Sequence, residues 1–191
     1  MRVGVFGGSF DPVHLGHLRV AEGAARQLAL DEVRFIPARA QPLKPRGPRA
    51  SADDRAAMLQ AAIAGRPGFT LDARELERPA PSYTVDTLRA LRLERPQDTL
   101  FLLIGADAVR DLPRWREGSE LQRLATVVAV PRPGEAVPAL PPGAVMLDLP
   151  PVNISATAIR RAVAAGRPVT DQVPAAVAEY IAARRLYRMG D

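Results

Sequence analysis

The chain contains no cysteine. Disulfides, thiolate nucleophiles and sulfur-ligated metals are therefore excluded, and the composition suits a reducing compartment. Long apolar runs are missing as well: no stretch of 18 or more apolar residues occurs, and the first residues lack the basic stretch, apolar segment and small-residue cleavage site of a secretory signal. A cytoplasmic location without a membrane partner is the expectation. Lysine is almost absent, Lys44 being the only one among 26 basic residues, and there are two histidines and one tryptophan. Scarcity gives those few side chains weight.

What is present is enough for one well-buried domain: 191 residues, 47% of them hydrophobic. The expected organisation is a single domain over 1–191, with a sheet core to residue 153 and a helical C-terminal part over 154–191. The formal charge of +5 raises nucleic acid as a partner, but the arginines alternate with carboxylates rather than forming a run. A solvated surface with a locally positive anion site fits better, so no nucleic-acid partner is expected. The prolines gather in the stretches Pro42 to Pro48 and Pro131 to Pro142, which read as loops.

Val3 to Phe6 reads as a strand, followed by Gly7-Gly8 and a helix over His14 to Leu30 with Leu15, Leu18, Ala21, Ala25 and Leu28 on one face. Val33 to Ile36 is a second strand. Ser51 with Asp54 resembles a capping box opening a helix through Ala64. Phe69 to Leu71 is a weak strand, Thr84 to Leu93 a helix, and Leu100 to Ile104 an unbroken apolar run of the central parallel type. Thr126 to Val130 and, more weakly, Val145 to Leu147 follow as strands. From Ser155 the pattern is helical, with one helix to Ala165 and another from Pro174 carrying Val177, Tyr180, Ile181 and Leu186. Strands alternating with helices predict an α/β fold: a doubly wound, Rossmann-like open parallel sheet with helices on both faces and a helical C-terminal segment.

Ligands of such a sheet bind beyond the carboxyl ends of its strands, where the first strand runs into Gly7-Gly8-Ser9-Phe10-Asp11-Pro12-Val13-His14-Leu15-Gly16-His17. The helix that follows offers free N–H groups and a positive dipole to an anion. His14 and His17 share one face at that end, with Gly16 keeping the surface between them open. A metal is the lesser alternative for this pair, because only carboxylates could complete its shell; no metal site is expected. Neither G-x-G-x-x-G nor G-K-[ST] occurs, which disfavours a dehydrogenase fingerprint and a Walker A loop. Near the other end, Ile154-Ser155-Ala156-Thr157-Ala158-Ile159-Arg160 can cap a helix through Ser155, present hydroxyls and first-turn N–H groups to a second anion, and add the charge of Arg160.

The first of these segments resembles the opening motif of the nucleotidyltransferase superfamily, whose H-x-G-H turn holds the phosphates of ATP. The second is similar to the I-S-x-T-x-I-R element of the same superfamily, with Ala156 replacing a serine. Class I aminoacyl-tRNA synthetases carry similar H-x-G-H turns, so the motif specifies attack on the α-phosphate better than it specifies the acceptor. Ser82-Tyr83-Thr84-Val85-Asp86-Thr87-Leu88, Gly105-Ala106-Asp107, Leu112-Pro113-Arg114-Trp115, Lys44 in its proline-rich loop and the C-terminal helix through Leu186-Tyr187 resemble the nicotinate-nucleotide adenylyltransferase family.

That resemblance implies adenylyl transfer from ATP, accompanied by Mg²⁺, to nicotinate mononucleotide in NAD biosynthesis. His14, His17, Lys44 and Arg160 would act in catalysis. Gly7, Gly8, Ser9, Phe10, Gly16, Asp107, Ile154, Ser155 and Thr157 would join the histidines and Arg160 around ATP. Ser9, Lys44, Tyr83, Thr84, Trp115 and Arg116 would bind the mononucleotide, Trp115 by stacking on the pyridine ring. A core tryptophan and an N-cap aspartate are the plainer alternatives for Trp115 and Asp107. Phosphopantetheine adenylyltransferase and a non-catalytic nucleotide-sensing or RNA-binding module are the rival readings.

Overall fold

The computed structural model describes residues 1–42, 47–131, 139–150 and 152–188. Lys44 and most of the second proline-rich loop lie outside them. In chain order the described residues form β1 (Arg2–Gly8), α1 (Leu15–Gln27), β2 (Glu32–Pro37), α2 (Ala52–Ile63), β3 (Phe69–Leu71), α3 (Arg74–Glu77), α4 (Thr84–Glu94) and β4 (Thr99–Gly105). There follow α5 (Ala106–Asp111), a 3₁₀ turn (Leu112–Arg114), α6 (Gly118–Leu124), β5 (Thr126–Val130), β6 (Val145–Met146), α7 (Ala156–Ala164) and α8 (Ala175–Ala183).

Every strand pair is parallel, and the sheet order is β3-β2-β1-β4-β5-β6. The chain fills one side of β1 first and then crosses to build the other. The strand order therefore reverses between β1 and β4, opening a crevice at their carboxyl ends. Both strands end in glycine there, at Gly8 and Gly105.

The apolar runs are unbroken because both faces of the sheet are covered. Alternate side chains of a strand point to opposite faces. Phe6, Phe101, Leu103 and Val128 accordingly join one core with α1, α2, α7 and α8, which contribute Leu18, Met58, Ile159 and Ile181. Val3, Val5, Leu100, Leu102 and Val127 join the other, with Val85 and Leu88 of α4 and Leu121 of α6. Burying one such side chain contributes about 1.5 to 3 kcal/mol. The C-terminal residues Val169, Val173, Val177, Ile181 and Tyr187 belong to the first core, so residues 154–188 complete one face of the sheet.

Three details differ from the sequence expectations. α1 begins one residue later than expected and ends at Gln27. The short helices α3, α5 and α6 were not foreseen; at 4, 6 and 7 residues they are too brief to set up a period. Finally, α8 ends at Ala183, so Leu186 lies beyond the helix, where positive φ at Arg185 and Tyr187 turns the chain back onto the core.

Candidate active site

α1 starts directly after the β1 turn, and His14 is its N-cap residue in extended conformation. The two imidazoles stack, with ring centroids 3.7 Å apart. His17 Nδ1 accepts the backbone N–H of His14 at 3.2 Å. A ring nitrogen that accepts carries no proton, so the proton of the neutral His17 ring resides on Nε2, which becomes a donor. Gly16 is required for this stacking: a Cβ there would stand 2.9 Å from His14 Nδ1. Gly16 thus makes room for a buried imidazole, a closer role than keeping the surface open. Gly7 is exposed and Gly8 half-buried, whereas the Phe10 ring is buried against Phe6, Phe35 and His17. Only the backbone of Phe10 is left to meet a ligand.

Asp11, only 4% exposed, is the hub of this turn. It accepts the N–H groups of Arg49 at 2.7 Å and Ala50 at 3.0 Å, and the Tyr187 hydroxyl at 2.8 Å. Arg160 donates to the Asp11 carbonyl at 2.6 Å, with its guanidinium 3.7 Å from the carboxylate, and also to Thr157 Oγ1 at 3.2 Å. Ser155 caps α7 by accepting the Ala158 N–H at 3.2 Å. The second anion motif is thereby fastened to the first across 149 residues of sequence. Ile154 packs against the core, and Ser155 and Thr157 are exposed.

Behind the turn lies Arg55, 2% exposed, donating to the carbonyls of Ser9 at 2.9 Å and Ala38 at 2.7 Å. It joins the exits of β1 and β2. Burial lowers its pKa while the charge of Asp11 opposes that shift. Burial and the neighbouring carboxylate push the Tyr187 phenol up, which keeps it a donor. Ser9 Oγ donates to Gln41 Oε1 at 3.1 Å, tying the same turn to the segment that leads to Lys44.

The residues expected to bind the mononucleotide gather on the other flank of the crevice. α4 runs back along the sheet toward the start of β4, which places its N-terminus at the carboxyl edge. Tyr83 is its N-cap residue and Thr84 its first residue. The Arg116 guanidinium lies 4.7 Å from the centre of the Tyr83 ring and 3.8 Å from Asp86. Trp115 is half-buried and packs, like Tyr83, against the second core. It is neither a core tryptophan nor a fully exposed one. The loop presenting it is tight: a Cβ on Gly118 would meet the Leu112 carbonyl oxygen at 2.3 Å, and Glu117 adopts positive φ. Asp107 is in the first turn of α5, half-buried beyond the end of β4, and Gly105 rather than Asp107 is the N-cap residue.

A cytidylyltransferase-like family model matches residues 5–162. A curated probable nicotinate-nucleotide adenylyltransferase of Thermus thermophilus is 50% identical over 188 residues, covering 98% of this chain and all of that one. Its counterpart in Roseiflexus castenholzii is 47% identical over 196 residues, covering 98% of each chain. The chain belongs to the nicotinate-nucleotide adenylyltransferase family. The fold agrees: a nicotinic acid mononucleotide adenylyltransferase of Plasmodium falciparum, solved with NaAD, superposes with TM-score 0.80 at 19% identity, covering 97% of each chain.

Several residues that build this candidate site carry no assignment from the sequence. Arg55 had a signal, since it occupies the apolar face of α2 one turn before Met58 and Leu59, where a charge is out of pattern. Asp11, Thr87 and Tyr187 lie within the motifs, but nothing local shows their task. Glu75 carries no local signal at all, because its partner belongs to another helix. Among the described residues no cluster of His, Asp or Glu side chains suits a metal, and no helix is long and apolar enough to cross a membrane.

Proposed function

We infer that the chain joins the adenylyl group of ATP to nicotinate mononucleotide, giving nicotinate adenine dinucleotide and pyrophosphate. The supporting observation is the stacked His14–His17 turn joined through Asp11 to Arg160 at the strand-order reversal, with the Tyr83–Arg116 pair at the N-terminus of α4. A phosphate oxygen of the mononucleotide attacks the α-phosphorus, a new P–O bond forms, and the bond to the β-phosphate oxygen breaks with its electrons leaving on pyrophosphate. The attacking oxygen is already ionised near neutral pH, so neither a general base nor a covalent nucleophile is needed.

Catalysis then reduces to positioning and charge stabilisation. The Nε2–H donor of His17, His14, Arg160, the first turns of α1 and α7, and Lys44 from its loop would hold the triphosphate. Mg²⁺ arrives with ATP as part of the substrate, held by phosphate oxygens and water; the described residues supply no carboxylate cage of their own. Asp107 would take a ribose hydroxyl, Trp115 would stack on the pyridine ring, and Tyr83, Thr84 and Arg116 would surround its carboxylate. Such substrates and chemistry fit a cytoplasmic enzyme. Mixing the protein with MgATP and each candidate acceptor and measuring pyrophosphate tests the reading. Release with nicotinate mononucleotide is expected; release only with phosphopantetheine, or with no acceptor, would overturn it.

A further inference from the structure

The acceptor flank depends on a buried carboxylate that none of the motifs contains. Glu75 of α3 is 8% exposed, and its Oε1 accepts the Thr87 hydroxyl at 2.7 Å. Thr87 is itself buried, one turn into α4. Ser82, on the other side of Tyr83-Thr84, is held by the exit of β2. Ser82 Oγ accepts the Arg39 N–H at 3.0 Å, the Ser82 N–H goes to the Ala40 carbonyl at 2.9 Å, and Arg39 Nη1 donates to the Leu76 carbonyl at 2.6 Å. The Tyr83-Thr84 turn is therefore held on both sides, by Glu75 through Thr87 and by the exit of β2 through Ser82. A cavity of about 230 Å³ lined by Glu75, Arg78, Ser82, Tyr83, Asp86 and Thr87 adjoins this grip.

From within α4 the turn receives backbone bonds, the Tyr83 carbonyl accepting the Asp86 and Thr87 N–H groups at 3.2 and 3.4 Å. The N-cap residue Tyr83 makes no side-chain cap hydrogen bond. A helix start without a side-chain cap leaves its first N–H groups to external partners, and their direction is set by whatever holds the flanking residues. We propose that Glu75, through Thr87, is a positioning residue for mononucleotide binding, aiming the Tyr83–Thr84 amides at the anionic ring substituent. This rests on the acid-acceptor reading given above. Glu75 does not touch the substrate; it acts through the turn.

The test is steady-state kinetics of Thr87→Val, Thr87→Ser, Glu75→Ala and Glu75→Gln, with KM measured separately for ATP and for nicotinate mononucleotide. Thr87→Val keeps shape and removes the donor. It should raise the mononucleotide KM about tenfold, the usual worth of one buried hydrogen bond to a charged group, with the ATP KM unchanged within about twofold. Glu75→Ala should do the same or more. Thr87→Ser restores the hydroxyl and Glu75→Gln keeps an acceptor, so both should stay within about threefold of the parent. Equal rises in both KM values, or no rise in any variant, would overturn the proposal. If Glu75→Ala fails to fold, the Thr87 pair still decides. Parallel measurement of the unmodified enzyme with the nicotinamide mononucleotide separates the two ideas: preference for the amide would sink the acid reading, whereas a mononucleotide KM indifferent to Thr87→Val would sink the positioning role alone.

Discussion

The two flanks of the crevice are built differently. On the phosphate flank, charged and polar groups are buried and tied by bonds that span the whole chain: Asp11 to Tyr187, Arg160 to residue 11, Arg55 to residues 9 and 38. On the acceptor flank, Tyr83, Thr84 and Trp115 are half-buried and Arg116 is exposed, with ion pairs near 3.8 Å. Such exposed pairs contribute little, on the order of 0 to 1 kcal/mol. The difference teaches where precision is needed. Charge developing on a departing pyrophosphate demands preorganised donors, whereas ring recognition tolerates side chains that settle around the ligand.

The sharpest way to break this contrast is His17→Ala. Losing one aligned donor to the triphosphate should lower turnover by roughly 10² to 10³-fold while the thermal midpoint stays nearly unchanged. Near-normal turnover would mean that the stacked histidines are only a helix cap. On the other flank, nicotinate mononucleotide should outperform nicotinamide mononucleotide by more than about tenfold in kcat/KM. A carboxylate gains charge-assisted hydrogen bonds from backbone N–H groups that a neutral amide makes weakly. Equal use of the two acceptors would show that Tyr83, Thr84 and Arg116 do not read the substituent.

Tyr187→Phe asks whether the cross-chain ties are support or chemistry. Removing a donor from the buried Asp11 carboxylate should cost about 1 to 3 kcal/mol of stability. In a chain of this length, each kcal/mol lowers the midpoint by about 2 to 4 °C. Turnover should remain within about threefold; a loss as large as that of His17→Ala would place Tyr187 in the phosphate machinery itself. The smallest effect concerns Glu75, whose pKa is raised mainly by burial, against the hydrogen bond from Thr87. A folded-state carboxyl above its unfolded value of 4.5 stabilises the protein most below that pH. That contribution is lost as pH rises through the folded value. Glu75→Gln should therefore hold or slightly raise the thermal midpoint at pH 7 and flatten its decline above pH 4.5. A lower midpoint at pH 7 with an unchanged pH slope would contradict this.

Much of the molecule was readable before folding. The unbroken runs at Val3 to Phe6, Leu100 to Ile104 and Thr126 to Val130 announced strands covered on both faces, because only such strands lack polar alternation. Glycine punctuation, the Ser51 and Ser155 caps and the paired histidines are local features, satisfied within one turn of chain, so their sequence signal survives without tertiary context. The three short helices escaped notice because fewer than two turns produce no period. Leu186 and Tyr187 looked like a continuation of α8, whereas positive φ at Arg185 and Tyr187 folds them back onto the core.

What the sequence by itself determined was the alternation of strands and helices, the placement of the glycine and histidine turn at the end of β1, and the family to which the motifs belong. Tertiary structure alone decided that Asp11 gathers Arg49, Ala50, Tyr187 and Arg160, and that Glu75 reaches Thr87. Each of these joins elements separated in sequence. A buried carboxylate must find donors wherever the packed chain supplies them, and that supply exists only once the two cores have closed on the sheet.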